Sequence, residues 1–231
     1  MTTAISLLQL KNNLKKLKEE IGNRVCLVAV SKHTSCESVQ AACELGQGDF
    51  GENRVQQLVT RGQWAEEQGL RLRWHFIGPL QSNKVKALLV IPQLQFIHSV
   101  SSKQLLQEII KHQSKFIGDN LQLFLQVNTS GEAEKGGIAS FEELVEIYEL
   151  GKRELGPQIK IQGLMTMGKI RTHDYAADAL RCFEKLKNLQ LQLGERFRPQ
   201  EIQLSMGMSD DYLLALQLGT HFVRIGTKIF G

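Results

Sequence analysis

Three groups of residues have types and spacings suited to chemistry. The first is Lys32, which ends the apolar run "VCLVAVSK" that starts at Val25. If Lys32 points inward from a strand buried on both faces, desolvation lowers its pKa and frees an amine nucleophile. If the strand has simply reached the surface, a lysine there is ordinary. The second group is two short loops near the end of the chain, "SMGMS" (205–209) and "RIGTK" (224–228). Glycines admit close backbone approach, hydroxyls donate, and N–H groups at a helix start favour negative charge, so the two together suit a phosphate. Each loop alone also reads as an ordinary turn or cap. The third is Glu52–Asn53 in "GENR", where the carboxylate reads either as a general base or as a surface or capping group.

These residues need elements to position them. Eight short apolar runs read as strands: "RVCLVAVS", "GDFG", "LRWHFIG", "QFIHSV", "LQLFLQVN", "KIQGLM", "EIQLSM" and "HFVRIG". Amphipathic or polar segments at 35–46, 53–69, 82–90, 101–115, 140–154, 173–195 and 209–219 read as the helices between them. Alternation of this kind means parallel strands with right-handed crossovers. Eight units in 231 residues predict an α/β fold, a single-domain (β/α)8 TIM barrel spanning 1–231, with a doubly wound sheet as the runner-up. Leu7, Leu10, Leu14, Leu17 and Ile21 form one stripe of an extra N-terminal helix within 1–22, packed on the barrel.

Barrel chemistry sits where strands end, and the loops after strands 7 and 8 often hold a phosphate. Lys32 falls at that mouth, beside strand 8. If Lys32 points in, so do Val30, Val28 and Cys26, while Ser31, Ala29 and Leu27 face the helices. A buried amine beside a phosphate cradle is the arrangement expected for a pyridoxal 5′-phosphate Schiff base.

The motifs "VAVSK", "FGENRVQ", "WHFIGPLQSNK", "HSV", "QVNTSGEAEKGG", "GLMTM", "LSMGMSDDY" and "VRIGTKIFG" resemble those of the pyridoxal phosphate homeostasis (PROSC-like) proteins, in order and spacing, from about Val25 to Gly231. The resemblance implies a barrel similar to the N-terminal domain of alanine racemase that binds pyridoxal phosphate. It makes Lys32 the Schiff-base lysine and places Asn53 beside the ring. It also implies that Ser205, Gly207, Gly226 and Thr227 hold the phosphate and that Arg224 approaches the pyridine nitrogen. Three departures stand out. "SKHTSCES" replaces the usual Thr-Lys-Pro after the lysine, Ser101 stands where the family usually has Asp, and the chain ends at "IFG" without a basic tail.

Two functions follow from this reading. One is a carrier that buffers or delivers pyridoxal phosphate to PLP-dependent apoenzymes. The other is an amino-acid racemase or related enzyme on the same barrel. An arginine at the ring nitrogen keeps that nitrogen neutral and weakens the electron sink, which favours the carrier. Racemases of this barrel type take an acid–base partner from a second domain, and no second domain is expected here.

The remaining features narrow the field. Net charge is +4 with no dense basic run, so no nucleic-acid partner is expected. Cys26, Cys36, Cys43 and Cys182 form no CxxC pair, in keeping with a reducing compartment. Neither a signal peptide nor a membrane-length apolar run is apparent, so a cytoplasmic protein is expected, as a monomer or weak dimer. "GLMTMGKI" falls short of a P-loop because Ile170 replaces the Ser or Thr that would ligate magnesium. His75 reads as packing or pocket lining, no metal site is expected, and Asp210–Asp211 read as a helix start.

Overall fold

The computed structural model describes residues 5–169, 172–198 and 201–231. Met1–Ala4, Ile170 and the rest of the P-loop comparison beyond Lys169 therefore lie outside the described residues. The eight apolar runs form β1 (Cys26–Val30), β2 (Asp49–Glu52), β3 (Arg73–Phe76), β4 (Leu94–Val100), β5 (Leu121–Gln126), β6 (Ile159–Met165), β7 (Gln203–Met208) and β8 (Phe222–Ile225). Every strand pairs in parallel with its neighbours in sequence, and β8 pairs back onto β1. The sheet is a closed barrel, which excludes the open doubly wound alternative. Helices α1 (Leu7–Ile21), α2 (Cys36–Glu44), α3 (Val55–Glu67), α4 (Val85–Leu89), α5 (Lys103–His112), α6 (Phe141–Glu154), α7 (Tyr175–Phe197), α8 (Tyr212–Gln217) and α9 (Thr227–Phe230) complete it.

Strand alternation divides the core in two. Leu27, Ala29, Phe50 and Trp74 belong to the large layer between strands and helices. Val28, Phe96, Phe124, Met165 and Phe222 fill the barrel interior, with Cys26 at their edge. The expected parity of β1 is therefore observed. Gly163, from the P-loop look-alike, lies inside β6, where an added Cβ would sit 1.9 Å from the Gln203 carbonyl oxygen.

Ser6 caps α1 by accepting from the Gln9 N–H at 3.2 Å. Leu10, Leu14, Leu17 and Ile21 are buried, but Leu7 is 60% exposed, so the packed stripe begins a turn later than its spacing suggests. The helix lies against the last one: Asn13 Nδ2 donates to the Ile229 carbonyl at 3.1 Å, and the Tyr212 hydroxyl of α8 donates to Glu20.

Candidate functional site

The segment that carries Lys32 is pinned by its backbone. The Ser31 N–H donates to the Gly51 carbonyl at 3.0 Å, and Gln57 Nε2 of α3 donates to the Lys32 carbonyl at 2.9 Å. Arg61, also on α3, donates to the Thr34 carbonyl. The anchor beneath is Glu52, fully buried, which accepts from Ser31 Oγ at 2.6 Å and lies 3.1 Å from Arg61 Nη1. Burial raises the Glu52 carboxyl above its usual range, and Arg61 and Ser31 oppose that shift. Glu52 thus faces the helix layer. It is neither a base in the mouth nor a surface carboxylate. Lys32 itself is exposed, so of the two readings of the apolar run the structure has the strand reaching the surface there.

Inside the barrel a polar chain crosses an aromatic core. Starting at the N-terminal floor, Asp49 Oδ1 lies 2.9 Å from His75 Nε2, and His75 Nδ1 lies 2.9 Å from His98 Nε2. His98 Nδ1 lies 2.8 Å from Ser205 Oγ, which accepts from Arg224 Nη1 at 2.6 Å. Arg224 Nη2 donates to the Thr166 carbonyl at 3.0 Å. His75 stacks on Phe96 at 4.1 Å and His98 on Phe124 at 4.6 Å, so both imidazoles lie among hydrocarbon. Burial lowers the pKa of both, His98 well below the ordinary histidine value. Burial alone would raise the Asp49 carboxyl, but hydrogen bonds from His75 and Arg73 outweigh it and hold it at about 2. Burial also lowers Arg224 to about 10, which leaves it cationic at neutral pH. Its contacts are a hydroxyl and a carbonyl; among the described residues no carboxylate touches it.

The residues expected at the site separate into two sets. Asn53 follows β2, half-buried at the rim, and packs closely on Gly78: a Cβ there would lie 2.0 Å from the Asn53 carbonyl oxygen. Gly226 meets the end of β1, since an added Cβ would come within 3.1 Å of the Val30 carbonyl. Thr227 is exposed beside it. Lys32, Asn53, Gly226 and Thr227 therefore share the C-terminal rim.

Ser205 and Gly207 lie deeper, both buried. The Ser205 hydroxyl is taken up between His98 and Arg224, and Gly207 (φ +96°) packs on α8, where a Cβ would lie 2.7 Å from the Ala215 Cβ. Met208 pairs with Arg224 across β7 and β8, and Ser209 follows at the end of β7, half-buried. Asp211 precedes α8 as expected, but its carboxylate accepts from the Met208 N–H at 2.5 Å and the Tyr175 hydroxyl at 2.9 Å.

Cys26, Asp49 and His75 bring a thiol, a carboxylate and an imidazole within 4.8 Å, a proximity their sequence spacing hides. Arg73 Nε (2.7 Å), Arg73 Nη2 (2.5 Å) and His75 all converge on Asp49, so this cluster is organised by donors around an anion. Lys135, in the loop after β5, lies 2.7 Å from Glu132 and donates to the Gly168 carbonyl, so its amine is engaged.

A family model described as alanine racemase, N-terminal domain, matches residues 5–231. The pyridoxal phosphate homeostasis protein of Vibrio cholerae is 41% identical over 209 residues, covering 90% of this chain and 85% of that one. PipY of Synechococcus elongatus, solved with pyridoxal phosphate bound, superposes with a TM-score of 0.84 at 30% identity, over 96% of this chain and all (100%) of its own. Alanine racemase of Clostridium difficile superposes with a TM-score of 0.75 at 16% identity, over 100% of this chain and 59% of that enzyme, a likeness of fold alone.

Proposed function

The chain belongs to the pyridoxal phosphate homeostasis proteins, within the alanine racemase N-terminal domain family, and from that premise we propose that it binds pyridoxal 5′-phosphate at the barrel mouth and buffers or delivers it. The observation that carries this reading is Arg224, a buried cation held by two neutral acceptors with no carboxylate in contact among the described residues. A guanidinium offers donors only, so its natural partner is a lone pair, such as that of an unprotonated ring nitrogen. Lys32 offers a water-accessible amine on a backbone fixed through its own carbonyl and through the N–H of the preceding Ser31, suited to a reversible covalent link.

The residues present fit the cofactor. The single turn of α9 is closed by the N–H groups of Ile229, Phe230 and Gly231, so those of Thr227 and Lys228 are the unpaired first donors of that turn. Together with the hydroxyls of Thr227 and Ser209 they would hold the phosphate. One helical turn has a small dipole, so hydrogen bonds rather than the helix field supply the affinity. Asn53 would line the ring. When bound, the cofactor supplies an electrophilic carbonyl carbon and a ring that can take up negative charge. Arg224 opposes protonation of the ring nitrogen and so limits that second capacity. Glu52 is committed to Arg61 and cannot serve as a proton acceptor in the mouth. These two features favour a carrier over a racemase, and PLP-dependent apoenzymes are the proposed recipients.

The test is an absorbance titration of the purified protein with pyridoxal phosphate, borohydride reduction, and peptide mapping. The expected result is one modified lysine, Lys32, with no turnover of alanine or serine and transfer of unreduced cofactor to an apoenzyme. Modification of another lysine, or steady racemisation abolished in Lys32→Ala, would overturn the reading.

A further inference from the structure

The polar chain through the barrel has one self-consistent order. Arg224 can only donate, so Ser205 Oγ accepts from it. Ionised Asp49 can only accept, so His75 Nε2 carries the proton between them. A neutral imidazole has one donor and one acceptor nitrogen. His75 Nδ1 must then accept, which makes His98 Nε2 the donor across their 2.9 Å contact. His98 Nδ1 is left as an acceptor, and it takes the hydroxyl proton of Ser205. Every link has one donor and one acceptor. The reverse order needs a protonated Asp49 and makes Ser205 Oγ accept twice, from Arg224 and His98, with its own proton excluded from the chain.

We propose that Asp49, His75, His98 and Ser205 are positioning residues for Arg224, an ordered chain of donors that fixes the guanidinium from the far end of the barrel and thereby sets the protonation of the ring nitrogen it faces. The inference rests on the cofactor reading above. The alternative is that the two histidines merely fill space against Phe96 and Phe124. Phenylalanine would fill that space as well, and this separates the two. The titratable groups facing the imidazoles are Cys26, Asp49, Arg73, Arg224 and each other. Asp49 alone favours a second proton on His75, but it already accepts two donors from Arg73, and burial among the aromatic rings outweighs it; His98 faces only His75 and the Arg224 cation.

Two measurements test this. In cofactor-free wild type carrying 15N-labelled histidine, long-range proton–nitrogen spectra at neutral pH should show His75 and His98 both neutral and both protonated at Nε2. His98→Phe identifies its signals. With pyridoxal phosphate bound, His98→Phe and Ser205→Ala should each shift the absorbance maximum and make it pH-dependent from about pH 5 to about pH 8. Their affinity should fall only about tenfold, the value of one hydrogen bond. An Nδ1–H tautomer or an imidazolium at neutral pH would overturn the order. Folded variants whose bound spectrum and pH response match wild type would overturn the positioning role. A wild type that takes up no cofactor would sink the proposed function and the ring-nitrogen claim with it, and the nitrogen spectra would then judge the donor order alone.

Discussion

Replacing Arg61 with methionine should cost stability in a pH-dependent way, and the size follows from Glu52. Glu52 is fully buried, keeps the Ser31 hydroxyl, and has one oxygen, Oε2, with no hydrogen-bond partner among the described residues. Removing one partner of a buried pair costs about 3–5 kcal/mol when the other charge stays. Here the carboxyl has an escape, because it can take a proton. From an unfolded value of 4.5, protonation at pH 7 costs at most about 1.4 kcal/mol per pH unit, or about 3.5 kcal/mol in all. At pH 5 the same cost is about 0.7 kcal/mol. The sign follows from the direction of the shift. The folded-state pKa of Glu52 is raised, so its contribution is full below about 4.5 and is lost as pH rises. Arg61→Met steepens that loss. Urea unfolding of wild type and variant at pH 5, 6.5 and 8 measures it. A gap that stayed the same at pH 5 and pH 8, or stayed under about 1 kcal/mol at pH 8, would refute the reasoning. Adding Glu52→Gln should recover most of the stability but not cofactor affinity, because the Arg61 bond to the Thr34 carbonyl beside Lys32 is still missing.

Four further outcomes are expected. Lys32→Ala should abolish the covalent absorbance band yet retain pyridoxal phosphate binding, because the phosphate donors lie on other segments; an unchanged band would move the covalent link elsewhere. Thr227→Val should weaken pyridoxal phosphate by about 1.5–3 kcal/mol and leave pyridoxal nearly unaffected, as read by titration of both ligands. Gly78→Ala should lower stability by about 1–3 kcal/mol and weaken the cofactor, since its Cβ falls on the Asn53 backbone at 2.0 Å; wild-type thermal unfolding would contradict this. Asp49, held at about 2, contributes stability present above about 3.8 and lost as pH falls towards 2, so Asp49→Asn should flatten acid unfolding in that window.

The architecture was legible because burial on both faces leaves strands almost without polar residues, as in "LVAV" and "LFLQV". Parity then placed Val28 inside the barrel and Leu27 outside. The rim residues Lys32, Asn53, Gly226 and Thr227 followed from strand ends. The interior chain did not, because Asp49, His75, His98 and Ser205 stand on four strands and each has an innocent reading alone. The available signal was parity again: Asp49 lies two residues before Gly51, which packs on the interior Val28, and the strand register sets Gly51 level with His75. Where the Ser205 hydroxyl and Gly207 lie was not legible either. The register shift between Ser205 and Met208 moves the outer part of β7, and a regular count along the strand does not reveal it.

The pairing of β8 with β1 has a consequence for how the protein is made. The rim is shared between Lys32, early in the chain, and Gly226–Thr227, at its close, brought together only when Val28 meets Arg224. Contacts this distant in sequence form late and slowly, after the intervening strands have assembled. Cofactor uptake should therefore report barrel closure. With the phosphate held as proposed, a chain stalled at seven strands would keep its lysine but lack the anion site, and free pyridoxal phosphate would drive the final closure by mass action.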